Sequence, residues 1–320
     1  MKAEREVQQM FRFPLLVQML VLVGAIFGAR FCMAQLPHRE ELGLRVSQLR
    51  YESVVLNLDG SDIAPFKLAG AWALTSLDRR FGGLSGLEVD GGKLLAVGDS
   101  GTVVWLDKPG RTTAVTIKEL PDGPGDPRFK KNRDAEAVRA DPGGRGWWVP
   151  FERVNQLWLY DTSFSRSLRR IDFGERRWPD NAGVEGLVVD RGQFLLFIEG
   201  GETIYRLRGS RLGAVRVAGK QGDYSEAVRL PDGRLLALER SLGPSGLRNA
   251  LVLLKESAKG FRASRRIHLP LGPFDNMEGM AAERSKDGTI RLWVIADDNF
   301  QKPMRTLLIA LDLPPEGKQR

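Results

Sequence analysis

A short acidic motif recurs along this chain, and its spacing limits the fold more than any other feature. "RDAEAVRAD" (133–141), "NAGVEGLVVD" (181–190), "DYSEAVRLPD" (223–232) and "DNMEGMAAE" (275–283) each set a glutamate before a small residue and an apolar one. The glutamates are Glu136, Glu185, Glu226 and Glu278, separated by 49, 41 and 52 residues. A variant copy, "GGLSGLEVDGG" (82–92), carries Ser85 in the glutamate slot. A turn rich in Gly, Pro or Asp follows each copy. Next comes an apolar strand with an acid at or near its end: "KLLAVGD" (93–99), "GWWVPFE" (146–152), "FLLFIE" (194–199), "RLLALE" (234–239) and "IRLWVIADD" (290–298).

These strands are continuously apolar, as befits strands buried on both faces. "QLWLYD" (156–161) and "TIYRLRG" (203–209) alternate and suit half-exposed outer positions. Four short strands per unit at a period of ~40–50 residues predict a β-propeller. The expectation is an all-β, six-bladed β-propeller closed by pairing of N- and C-terminal strands, with "TLLIALDL" (306–313) beside strands from 45–80. Five or seven blades are the nearest alternatives.

The first residues are set apart from that fold. "FPLLVQMLVLVGAIFGA" (13–29) follows Lys2, Arg5 and Arg12 and precedes "FCMAQ", which places Cys32 and Ala34 at small-residue cleavage positions. This reads as a cleavable signal helix over 1–34, with the propeller domain over 35–320, and predicts a periplasmic or secreted protein. The run is shorter than the ~20 residues of a spanning helix, so no stable membrane span is expected after cleavage, an uncleaved anchor being the alternative. Cys32 is the only cysteine, so past the leader packing or metal must replace disulfides. The net charge of +8 is spread as arginine along the chain. No basic stripe with interleaved aromatics appears, so nucleic acid is not an expected partner. A monomer is expected.

In a propeller, equivalent residues of successive inner strands meet at one level of the axis. Glu136, Glu185, Glu226 and Glu278 are therefore expected to converge, and Asp99, Glu152, Glu199, Glu239 and Asp297 to approach the same mouth. Converging carboxylates cannot all stay ionised uncompensated. Protonation, a bound cation, interleaved arginines, and glutamates that each cap their own blade are all open at this point. Oxygen ligands without cysteine favour calcium over other metals, with Glu136, Glu185, Glu226, Glu278, Asp99 and Asp298 as candidate ligands. Asn181, Asn276 and Asn299 lie near enough to add neutral oxygens.

The ordered set "GLSGLEV…LLAVGDSG", "DAEAV…WWVPFE", "NAGVEGLVV…FLLFIEG", "YSEAVRLPDGRLLALERS" and "DNMEGMAAE…LWVIADDNF" resembles the esterase-like activity of phytase family over about 80–312. The resemblance implies a phytase-like β-propeller, exported, related in architecture to calcium-dependent phytases. It places Glu136, Glu185, Glu226, Glu239, Arg240, Glu278, Asp298 and Asn299 at motif positions. Neither Ser85 nor Ser225 sits in a GxSxG elbow, and His268 in "RIHLPLG" reads as a strand residue, so serine–histidine catalysis is disfavoured. The expectation is a calcium-assisted hydrolase of phosphate or carboxylic esters acting on a small anionic or ester substrate. Glu185 and Glu278 are its candidate catalytic carboxylates, and Arg240 and Asn299 its candidate substrate contacts. The alternative is a non-catalytic propeller that binds a ligand or partner, plugged by a structural metal or by ion pairs.

Overall fold

The computed structural model describes residues 43–56, 62–109, 113–174, 178, 183–201, 203–244, 246–272 and 275–315. The leader expected over 1–34 and the neutral ligand Asn181 lie outside them. No helix among the described residues is long and apolar enough to cross a membrane.

Two strands open the described fold, β1 (Arg45–Ser53) and β2 (Lys67–Ser76). Four antiparallel units follow in chain order. The first comprises β3 (Leu84–Asp90), β4 (Lys93–Gly98), β5 (Thr102–Asp107) and β6 (Ala114–Glu119). The second comprises β7 (Arg139–Ala140), β8 (Gly146–Phe151), β9 (Gln156–Asp161) and β10 (Ser167–Asp172). In the third stand β11 (Val184–Asp190), β12 (Gln193–Ile198), β13 (Thr203–Arg208) and β14 (Arg211–Ala218). The fourth holds β15 (Asp223–Arg229), β16 (Leu235–Gly243), β17 (Gly246–Ser257) and β18 (Gly260–Leu269). The last unit has β19 (Asn276–Arg284), β20 (Ile290–Asp297) and β21 (Leu307–Leu313), completed by β2 from the other end of the chain.

Among the described residues, therefore, five four-stranded blades form, not six. The expected terminal pairing exists, Trp72 opposite Leu308 for instance, but it completes the fifth blade. The expected sixth blade draws on strands from 45–80. Of these, β1 instead lies across two outer edges, pairing with β2 on one side and β6 on the other. β14 and β18 likewise pair in parallel, joining the third and fourth blades. Such cross-links cover edges that would otherwise offer unpaired backbone groups.

The continuously apolar sequences became the second strands of the blades: β4, β8, β12, β16 and β20. Each is sandwiched between neighbouring blades, so both of its faces are buried. Five apolar clusters result, one at each interface of the ring. The second blade is the irregular one. Its inner strand shrinks to Arg139–Ala140 plus a bridge from Ala135 to Phe151, and the gap lies opposite Pro150, which has no N–H to donate.

Candidate functional site

The repeated glutamate marks a break in strand register. In β11 the pairing steps from Val184–Ile198 to Gly186–Phe197, leaving Glu185 unpaired. Ser85 in β3 and Glu278 in β19 are skipped in the same way, and one residue is in excess between Ala135 and Arg139, where Glu136 sits. A one-residue bulge turns a side chain out of the ladder, here toward the axis. The small residue that follows is explained by the neighbouring blade. A Cβ on Gly86 would lie 2.6 Å from the Ala137 backbone, and one on Gly279 would lie 2.9 Å from the Ser85 carbonyl oxygen. Inner strands approach too closely there for a side chain.

Glu136, Glu185 and Glu278 consequently meet, with one carboxylate oxygen from each within 4.8 Å of the others. Two further triads at the same spacing join this one, Glu152–Glu185–Glu199 and Asp134–Glu136–Glu152. Two carboxylates at that separation repel by roughly 3–4 kcal/mol at an effective dielectric constant of about 20. Arginine and lysine offset part of this. Arg240 donates to Glu278, to Asn276 Oδ1 at 2.6 Å and to Glu199 at 3.4 Å. Arg153 reaches Asp134 at 3.0 Å, and Lys130 reaches Asp99 at 2.5 Å. Neither a cation nor a hydrogen-bond donor reaches Glu185 among the described residues, although only 5% of it is exposed. Burial, then the charges of Glu199, Glu136, Glu152 and Glu278, hold its pKa well above the usual carboxylate range.

The fourth blade departs by one residue. There the pairing steps from Tyr224–Glu239 to Glu226–Leu238, so Ser225 occupies the bulge, and Arg240 stands where the other blades carry Asp99, Glu152, Glu199 and Asp297. Glu226 and Glu239 are displaced from the mouth accordingly. Glu239 turns to Arg266, accepting bonds of 2.7 and 2.9 Å. Glu226 points down the axis to Arg139, 3.0 Å away. Arg139 donates to the carbonyls of Leu87, Val138, Ala227 and Met280, while Glu226 accepts the N–H of Leu187 at 3.4 Å. Those five residues each lie two positions beyond the bulge of their own blade. A single ion pair thereby gathers one backbone group from every inner strand, two residues below the acids. Burial raises the Glu226 pKa, to about 8, against the opposing pull of Arg139.

Among the other candidates, Asp298 serves as a brace. It accepts from Gly83 N–H at 2.9 Å, Phe300 N–H at 3.0 Å and Thr306 Oγ1 at 3.0 Å, and belongs to none of the carboxylate triads. Asp99 is held by Lys130 outside those triads. Asn299 adopts a left-handed φ of 47° and is buried, its Oδ1 without a hydrogen-bond partner. Ser85 Oγ, at the bulge of the first blade, is also buried without a partner. His268 is exposed on β18. Sequence reasoning did not single out Asp134, Arg153 or Lys130.

The triads suit an oxygen-ligated cation. Ligands about 2.4 Å from a calcium ion lie at most about 4.8 Å apart. Glu136, Glu185 and Glu278 lie within that reach of one another, and the Ser85 hydroxyl, without a partner among the described residues, occupies the equivalent position one blade away.

A family model described as phytase-like, esterase-like activity of phytase, matches residues 79–300. The chain belongs to this family. No curated protein matches it. Solved structures that it resembles include a glutaminyl cyclase from Myxococcus xanthus, 14% identical, covering 78% of this chain and 97% of that one at a TM-score of 0.49. A putative gluconolactonase is 11% identical over 89% and 98% of the two chains at a TM-score of 0.46. The hydrazine synthase of Kuenenia stuttgartiensis is 15% identical at a TM-score of 0.38 over 69% of this chain, which spans 58% of that one. The propeller assignment for this family member rests on its own strand pairing.

Proposed function

We propose that this phytase-like propeller is a calcium-assisted hydrolase of phosphate or carboxylic esters, working at the mouth formed by Glu136, Glu185 and Glu278. The observation that carries the reading is the partnerless Glu185, shared by two carboxylate triads. Glu136, Glu185 and Glu278 would hold the calcium ion, which would supply positive charge to polarise a phosphoryl or carbonyl oxygen. Glu185 accepts a proton from the attacking water, the ester bond breaks, and the proton returns to the departing alkoxide. Arg240, on the rim between Glu278 and Glu199, orients an anionic group of the substrate. Export of the chain, after loss of residues 1–34, and a monomeric state belong to this reading.

The test uses the purified chain with p-nitrophenyl phosphate and p-nitrophenyl butyrate, with and without calcium. Turnover that EDTA abolishes, and that Glu185→Gln and Glu278→Gln remove, is expected. The two ion-pair clusters along the axis favour a second reading, a non-catalytic propeller whose cation is a plug. A melting temperature that EDTA lowers, with no turnover on either ester class, would decide for the plug.

A further inference from the structure

The third and fourth blades leave a strand position vacant between them. β18 runs parallel to β14 but begins at Gly260, opposite Arg216, so only 216–218 of β14 find a partner on that side. Residues 211–215 pair with β13 alone. Where β18 would continue backwards, the chain instead turns away through Ala258 and Lys259. The result is a crevice of about 620 Å³, walled by Leu212, Gly213, Ala214 and Val215 on one side and by that hairpin tip on the other.

Three properties make this edge receptive. Its five residues offer about 16 Å of extended backbone at ~3.3 Å per residue, enough to pair a short peptide. Gly213 and Ala214 are exposed and small, and even a Cβ on Gly213 would meet nothing nearer than 3.9 Å. The surrounding charge is positive. Glu256 is already paired with Arg191 at 2.7 Å and Arg206 at 3.7 Å, whereas Arg208, Arg211 and Lys259 face no acid among the described residues. Of the other outer edges, β1 covers β2 and β6, while β10 ends its sheet but carries a register shift between Ser167 and Arg169 that breaks its ladder.

We propose that the open half of β14 is a docking site for an acidic, extended peptide segment of a partner protein, which adds as a strand in the vacant row. Backbone hydrogen bonds to 211–215 hold the segment, and Arg208, Arg211 and Lys259 select acidic side chains. The site lies on the outer rim of the ring and is independent of the axial mouth.

Fluorescence anisotropy with a labelled heptapeptide of alternating glutamate and valine tests this on the whole chain. Saturable binding is expected, at least about tenfold tighter than for the lysine–valine peptide or for the glutamate–valine peptide N-methylated at alternate residues. Arg211→Glu combined with Lys259→Glu, both exposed positions, should weaken it by about tenfold or more without shifting the melting temperature. Absence of binding up to about 1 mM overturns the proposal. So does equal binding of the N-methylated peptide, which would mean charge attraction without strand pairing. An unaffected charge-reversal variant, or displacement by polyphosphate of N-methylated and unmodified peptide alike, overturns it too. The N-methylation comparison needs no variant and stands even if the charge reversal unfolds.

Discussion

Two levels of one axis, two residues apart along each inner strand, handle charge in opposite ways. Below, Arg139 and Glu226 satisfy each other and one backbone group from each of the five blades. Above, Asp134, Glu136, Glu152, Glu185, Glu199 and Glu278 outnumber Arg153, Arg240 and Lys130 among the described residues. The lower level is complete within the protein and reads as structure. The upper level is not balanced by the described residues, and that surplus sets it apart from the level below.

The strongest challenge to this contrast is Arg139→Met. It strands a buried carboxylate and four carbonyls, so urea unfolding should show a loss of about 3–5 kcal/mol, and Glu226→Gln in the same chain should recover part of it. A loss under 1 kcal/mol would mean that the lower level holds nothing together. Calcium comes next. At about a hundred times its dissociation constant it should stabilise the native chain by about 2.7 kcal/mol, and Glu185→Gln should abolish the rise in melting temperature while Glu226→Gln keeps it. Arg240→Gln sharpens the comparison further. Removing the competing guanidinium should tighten calcium binding several-fold, about 1 kcal/mol, as read by isothermal titration.

The smallest effect lies off the axis, at Glu239. Burial raises its pKa, but the paired bonds from Arg266 and the Gln221 N–H outweigh this and hold it below the usual range. A depressed carboxylate contributes stability above its unfolded pKa, near 4.3, and loses it as pH falls through the folded value. Glu239→Gln should therefore cost about 1 kcal/mol at pH 7 and almost nothing at pH 2, checked by urea melts at both.

Much of this was legible in the letters. The five copies of the motif are the five blades, and in three of them the repeated glutamate is a bulge followed by a small residue where the next blade comes close. The slip in the fourth blade was missed because "SEAV" and "LERS" offer a glutamate one place from the bulge and one place from the strand end. Counting from the hairpin would have found it. Ser85, Glu136, Glu185 and Glu278 each stand five residues before an acid that closes the strand, and Ser225 stands five before Leu230. Letter matching favoured Glu226 because identity is conspicuous, whereas backbone register obeys distance from the turn. Lys130 and Arg153 were invisible for another reason. They sit in irregular connections, whose path no periodicity reports.

The borrowed strand of the last blade has a kinetic meaning. β2 and its partner β21 stand at opposite ends of the described residues, so the ring stays an open arc until those two strands pair. Pairings across so long a stretch of chain form slowly. Glu278 stands in the blade that this pairing completes, so the mouth is not fixed until the ring closes.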